Sequence, residues 1–299
     1  MSILVLGTVA LDSVKTPFGK RRHMLGGSAV HFAMAARLFT NVNLVAIVGD
    51  DFPKRYIEFL QQKGIILTSL IKGSGKTFKW EGQYQGDLNT ALTLNTEIGV
   101  LSAFKPQVSS EQRKIKYIFL ANVDPDIQRH LLQKMHSAHF VGLDSMNYWI
   151  KHKRPSLLKL LKEVNIYVAN DQEARQLSGE SNLIKAAKAL YHYGPQMVLI
   201  KKGEHGALFF SKEFIFLLPA YPTDRVVDPT GAGDTFAGGF MGYLAKAGKI
   251  NAANIRKAIA FGTVAASFNV EDFGLNKTGV LRLEDLEKRL GDFREFILF

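Results

Sequence analysis

Two carboxylates, Asp228 and Asp234, flank a glycine turn in the stretch Asp228-Pro229-Thr230-Gly231-Ala232-Gly233-Asp234. Beyond it Phe236, Ala237, Phe240, Met241 and Leu244 recur at helical spacing, so the turn opens a helix. Glycines let a backbone come close to a ligand, and the first amides of a helix have no partner within it. With the positive end of the helix dipole, the amides of Gly231, Ala232 and Gly233 make an anion site. Asp234 falls in the first turn, where the dipole is expected to keep it ionised at neutral pH. A carboxylate beside an anion hole suits phosphoryl transfer to a hydroxyl. The amides hold the charge developing on the phosphoryl group, while the Asp orients the hydroxyl and accepts its proton late. The same residues also read as ordinary capping chemistry, because an Asp near a helix start is common.

Other chemistry-bearing residues stand where a strand gives way to a helix. Gly26-Gly27-Ser28-Ala29-Val30-His31 precedes a helix expected over 32–39. Asn170-Asp171-Gln172-Glu173 follows a strand expected over 166–169. Asn170 as N-cap with Glu173 three residues on is a capping-box pattern. The same pair can order waters around Mg2+, which prefers water and phosphate oxygens as ligands. Asn147 and Trp149 follow a third strand end, where α/β sites collect ligand contacts.

The run from Asp228 through Phe240 closely resembles the second signature of the ribokinase, or PfkB, family of carbohydrate kinases. The segment from Gly26 to His31 looks like the first signature, and Asn170 to Glu173 is similar to the family's NxxE element. The resemblance implies a ribokinase-like α/β fold and an ATP-dependent, Mg2+-using kinase that phosphorylates a hydroxyl of a sugar or nucleoside. It implies Asp234 as base, with Gly231, Ala232 and Gly233 as the anion hole. Asp12, taken to end the first strand at the sheet's carboxyl edge, matches the family's Asp that grips substrate hydroxyls; Gly26 and Gly27 would let the backbone approach that substrate. Asn170 and Glu173 look like the metal-linked pair, with Glu173 acting on Mg2+ through water. Asp228 matches an Asp that in several members helps hold a monovalent cation such as K+; a loop Asp capping the turn is the alternative. The stretch from Val198 to Gly206 resembles the strand and glycine segment beside the nucleotide, which nominates Lys201, Gly203 and Gly206. Lys201 stands where many members carry Thr, and either reaches a phosphate or is a solvated strand end. Two departures concern the acceptor. Ala10 and His31 fall where ribokinase-type members commonly have Asn, and Ala10 cannot bond a hydroxyl, which argues against plain ribose in the usual pose. His31 could bond a hydroxyl, stack on a ring or simply pack. Residues 267–274 depart from the family pattern, and no adenine contact is assigned there.

These residues need a scaffold that brings strand ends together. Apolar strands expected over 3–6, 42–48, 117–120, 139–143, 166–169 and 197–200 alternate with helices over 52–62, 127–135, 157–161 and 183–191. That alternation implies a mostly parallel sheet between helices, a three-layer arrangement. Residues 77–84 alternate instead with period two, Phe78, Trp80, Gly82 and Tyr84 on one side, and 90–94 do the same. This predicts a small antiparallel sheet, which the resemblance makes a lid, with segments about 13–24 and 74–98 of a single kinase domain spanning 1–299. Its aromatic face suits either a flat-ringed substrate or a homodimer contact through the lid. Gly73-Ser74-Gly75-Lys76-Thr77 suggests a P-loop, but the required earlier glycine is Leu70 and no long helix follows, so it reads as a turn.

The chain has 299 residues, 46% of them hydrophobic, enough for one large α/β domain. It has no Cys, so nothing in it implies disulfides, a zinc site or a thiol nucleophile. No stretch of about 18 apolar residues occurs, and the apolar start lacks a basic leader, so a cytoplasmic location and no membrane partner are expected. The net charge is +11, but the basic residues are scattered and lack the aromatic interleaving of a single-strand binder. Attraction of nucleotide polyphosphate accounts for the charge more economically than nucleic acid. The competing function is a non-catalytic sugar- or nucleotide-binding sensor on the same fold, which would have no need of Asp234.

Overall fold

Short apolar runs such as Ser2–Leu6 and Ile166–Asn170 bury the side chains of both their faces, which requires a sheet covered on both sides. The protein is described here by a computed structural model covering residues 1–86 and 88–298. Its strands in chain order begin with β1 (Ser2–Leu6), β2 (Ala10–Thr16), β3 (Gly19–Gly26), β4 (Asn41–Val48) and β5 (Ile66–Lys72). Next come β6 (Lys79–Tyr84), β7 (Ala91–Glu97), β8 (Tyr117–Leu120) and β9 (Phe140–Asp144). The last are β10 (Ile166–Asn170), β11 (Met197–Lys201), β12 (Ala207–Ser211) and β13 (Ile215–Leu218). The helices are α1 (Ser28–Ala36), α2 (Lys54–Gln62), α3 (Pro125–Leu132), α4 (Asn147–His152) and α5 (Arg154–Leu161). They continue with α6 (Asp171–Ser178), α7 (Leu183–His192), α8 (Ala232–Ala247), α9 (Ala252–Asn269) and α10 (Leu283–Ile297).

Nine strands form the main sheet in the order β13-β12-β11-β10-β9-β8-β1-β4-β5. It is parallel from β11 to β5 and ends in the antiparallel β12–β13 hairpin. Chain order reverses between β1 and β8, the kind of switch point at which open α/β sheets gather ligands beyond their strand ends. Side chains alternate between the two faces. Ile3, Val5, Phe119, Val168 and Leu199 join Phe32, Phe240, Ile259 and Leu286 from α1, α8, α9 and α10. Leu4, Leu6, Ile118, Leu143 and Ile200 join Leu131, Leu160, Leu177 and Leu190 from α3, α5, α6 and α7. These are the three layers that the sequence pattern implies. The helical face expected for α8 is buried throughout: Phe236, Ala237, Phe240, Met241 and Leu244. Among the described residues no helix is long and apolar enough to cross a membrane.

The second sheet runs β3-β2-β6-β7, with β2–β3 and β6–β7 antiparallel and β2–β6 parallel. A small cluster of Val14, Tyr84, Leu88 and Phe273, with Trp80, Met24, Val226 and Val227 against it, seats this lid on the main body. The outer strand β7 leaves Leu92 and Leu94 exposed. The lid is wider than expected because the chain breaks at Gly7 and re-enters a strand at Ala10, so Asp12 lies within lid strand β2 rather than at the end of β1. Phe78 precedes β6 and packs on the main sheet's second cluster, leaving Trp80 and Tyr84 as the inward lid aromatics. The expected lid segment 74–98 includes residue 87, and the expected domain includes residue 299; both lie outside the described residues. The P-loop look-alike is a tie between loops. The amide and hydroxyl of Thr77 both donate to Asp51 Oδ1, at 2.7 and 2.8 Å. Helix α3 starts two residues before the expected point, because Asp124 caps it by accepting from Asp126 N at 2.9 Å and Pro125 fills its first position.

Candidate active site

The glycine turn opens α8 as its sequence demands. Gly231 is the N-cap in the left-handed region, with φ of 74°, a conformation that a β-carbon would strain. Thr235 N–H donates to Gly231 O at 2.8 Å and starts the helix. Ala232 N–H turns back to Pro229 O at 3.1 Å, so one of the three amides expected in the anion hole already has an acceptor. No acceptor among the described residues takes the amides of Gly233 and Asp234. The carboxylate of Asp228 is fully buried and accepts from Thr230 N at 2.9 Å and from Gly274 N at 3.1 Å. Those are the contacts of the turn-capping alternative.

Four charged side chains converge beside this turn. Asp144 ends β9, Lys201 ends β11, Glu173 lies in the first turn of α6 and Asp234 in that of α8. Lys201 Nζ pairs with Asp144 Oδ2 at 3.0 Å, with side chains only 15% and 5% exposed. A β-carbon on Gly233 would lie 2.8 Å from Lys201 Nζ, so the ammonium packs against the glycine turn itself. Burial disfavours that charge, but Asp144, Glu173 and Asp234 hold the Lys201 pKa above its ordinary value. Burial, with Asp144 adding repulsion and Lys201 opposing it, raises Asp234 to about 7. The expectation of a low Asp234 pKa is therefore corrected: desolvation beside a second carboxylate outweighs the helix dipole. Glu173 is likewise pushed up, by burial and then by Asp144. Asp144 was not singled out from sequence; its signal is a lone carboxylate closing the apolar run of β9.

On the lid side, Asp12 is 6% exposed at a bulge in β2, and its Oδ2 accepts from Gly27 N at 3.1 Å. Burial, with repulsion from Asp228 and Asp234 against the Gly27 bond, raises it to about 7. A β-carbon on Gly26 would collide with this carboxylate, so the glycine pair makes room for Asp12 as well as for any ligand. Tyr84 OH reaches across from β6 to Thr230 Oγ1 at 3.3 Å, joining the lid to the turn. His31 is 2% exposed, and its Nδ1 lies 3.1 Å from Asn269 Oδ1.

Asn170 and Glu173 form the expected capping box: Glu173 N donates to Asn170 Oδ1 at 2.7 Å and Asn170 N to Glu173 Oε2 at 2.8 Å. Among the described residues no group of three or more His, Cys, Asp or Glu is placed to hold a metal directly. Three carboxylates share one ammonium, and the two without a direct partner in it are driven toward their protonated forms; a second cation would relieve that repulsion, which fits a Mg2+ bound mainly by water and nucleotide phosphate. Gly203 takes φ of 55° beneath Asn89 of the lid, whose Nδ2 donates to Glu204 Oε1 at 2.9 Å. Gly206, with φ of 82°, abuts the backbone of Leu218. Asn147 is exposed on α4 and donates to Gln176 Oε1 at 2.8 Å, outside the charged group. The structure thus gathers Asp12, Gly26, Gly27, His31, Asp228, Gly231 to Asp234, Glu173 and Lys201, with Asn147 at the margin.

A family model described as pfkB family carbohydrate kinase matches residues 8–279. A cytidine kinase of Thermococcus kodakarensis is 30% identical over 251 residues, covering 81% of this chain and 88% of that protein. A ribokinase of Staphylococcus aureus is 35% identical over 121 residues, or 39% of this chain and 38% of its own length. Among solved structures, a nucleoside kinase from Methanocaldococcus jannaschii, described as an archaeal member of the ribokinase family, superposes with a TM-score of 0.78 at 22% identity, covering 97% of this chain and 98% of its own.

Proposed function

Because this chain belongs to the pfkB family of carbohydrate kinases, and is an ATP-dependent small-molecule kinase, we propose that its phosphoryl acceptor is a nucleoside and that Asp234 is the general base. The observation that carries the assignment of Asp234 is its place in the first turn of α8, with the Lys201 ammonium against Gly233. The acceptor hydroxyl, oriented by Asp234, attacks the γ-phosphorus of ATP; the bond to the β-phosphate oxygen breaks, and the hydroxyl proton passes to the carboxylate late in the step. The open amides at the start of α8 and the Lys201 ammonium face the transferring phosphoryl group. Asp12 grips the acceptor from the lid side. Asn170 and Glu173 would hold waters of a Mg2+ whose chemistry is to neutralise the nucleotide phosphates.

A nucleoside is favoured over a free sugar by two facts. The cytidine kinase likeness runs through most of the chain, whereas the ribokinase likeness covers two fifths of it. Trp80, Tyr84 and Phe273 also cluster on the inner side of the lid, next to the segment that carries Asp12. The test is a panel of nucleosides and sugars assayed for stimulated ATP consumption. Nucleosides should stimulate it, and Asp234→Asn should lower kcat by about 10² to 10⁴-fold while ATP affinity stays near that of the unaltered enzyme. Stimulation by ribose with none by any nucleoside would refute the acceptor; tight acceptor binding without turnover would favour the sensor.

A further inference from the structure

Asn269 is a polar side chain, 1% exposed, closing the long apolar helix α9. Its amide bonds both flanks of the glycine turn. Nδ2 donates to Thr230 O at 2.8 Å. Oδ1 accepts from Thr235 Oγ1 at 3.0 Å and lies 3.1 Å from His31 Nδ1. A backbone carbonyl can only accept, so the amide orientation is fixed with Nδ2 toward Thr230. The Asn269 oxygen must then receive a proton from His31, which makes His31 the Nδ1–H tautomer. The imidazole also touches the turn: Cγ, Nδ1 and Cδ2 are the atoms that a β-carbon on Gly231 would strike. Burial holds the His31 pKa below its ordinary value, against a pull from Asp228 and the Asn269 bond, consistent with a neutral ring.

We infer, resting on the phosphoryl-transfer reading of Asp234, that Asn269 and His31 are positioning residues that set the anion-hole turn, so that His31 acts on the reaction through the turn and not by bonding the acceptor. Asn269 ties the residue before Gly231 to the residue after Asp234, and His31 supports the turn from beneath. The open amides and the Asp234 carboxylate lie between those ties. A displacement of the order of 1 Å at such groups costs about 10²-fold in rate.

Three variants separate this from the alternatives. Asn269→Asp, in its ionised form, keeps an acceptor oxygen and loses the donor to Thr230; His31→Leu loses the donor to Asn269. Each should lower kcat by about tenfold or more, with the acceptor KM within about twofold of the starting value. His31→Asn can place an amide nitrogen close to the position of Nδ1, so it should restore most of kcat with the acceptor KM unchanged. Amide exchange over residues 228–236 provides a readout that needs no substrate: it should quicken in Asn269→Asp and His31→Leu and stay slow in His31→Asn. An acceptor KM raised tenfold in His31→Asn, with kcat kept, would overturn the inference in favour of direct recognition. Unchanged kcat and exchange in both disruptive variants would overturn it outright. If no nucleoside or sugar supports turnover by the unaltered enzyme, the functional reading fails, and the exchange comparison alone decides on the brace.

Discussion

Gly231→Ala tests the packing of the turn at its tightest point. Two costs follow from the structure. At φ of 74° and ψ of 4° the residue is left-handed, and a β-carbon there costs roughly 1–2 kcal/mol. The new methyl would also fall inside 3.0 Å of three atoms of the His31 ring. That ring is buried and tied to Asn269, so it cannot swing away freely, and overpacking of this kind costs about 1–3 kcal/mol. Together they give about 2–5 kcal/mol, and at roughly 2–4 °C per kcal/mol for chains of a couple of hundred residues the melting point should drop by several degrees at least. Turnover should drop with it, because whatever relaxation relieves the overlap moves the open amides. The decisive assay is a double-mutant cycle with His31→Ala, read by denaturant unfolding and by kcat. Removing the ring abolishes the steric part and leaves the backbone part, so the double variant should be more stable than the two single losses predict, by about 0.5–3 kcal/mol. Strict additivity would show that the methyl does not meet His31, and would remove the basis for a ring-supported turn.

Two further expectations concern protonation. A base must be unprotonated to accept a proton, so acceptor kcat/KM should rise with pH through about 7, the value to which burial and Asp144 raise Asp234. Lys201 is the group that opposes that rise, so Lys201→Met should move the acid limb to higher pH; an unmoved limb would exclude Asp234 as its source. Asp12 is raised to about 7 chiefly by burial, so folding favours its protonated form, and the stability tied to it is present at low pH and lost as pH rises through about 7. Asp12→Asn should therefore melt above the unaltered protein at pH 8, lose that advantage as the pH falls to about 4, near the ordinary Asp value, and bind the acceptor more weakly; a variant less stable at pH 8 would contradict the burial argument.

The parts of the site that were legible in the sequence are local. A cap and its third-position partner are three residues apart, so Asn170 and Glu173 announced their reciprocal bonds, found at 2.7 and 2.8 Å. The helix after Gly231 announced its buried face through its period. Where reading failed, burial hid the signal. The buried run through Gly7, Thr8 and Val9 masks the break between β1 and β2, and so Asp12 was placed on the wrong sheet. Strand β5 is partly exposed and lacks a clear alternation, with only Ser69 buried, and it escaped notice.

The charge pairing of the site was illegible for a different reason. Asp144 and Lys201 are 57 residues apart and sit on strands separated by β10, so their contact exists only once three strands are in register. His31 and Asn269 are 238 residues apart and meet only when α1 and α9 both pack at the head of α8. Sequence can nominate such residues, because a lone Asp closing an apolar strand and a lone Asn closing an apolar helix each need a buried partner. It cannot say which partner. In this chain the partners decide the chemistry. Lys201, open from sequence to being a solvated strand end, is a buried ammonium beside the turn, and its charge limits how far burial and Asp144 can lift the Asp234 pKa. The composition of the motif makes an anion site credible, but the ties from other elements determine where its open amides and its carboxylate stand relative to each other.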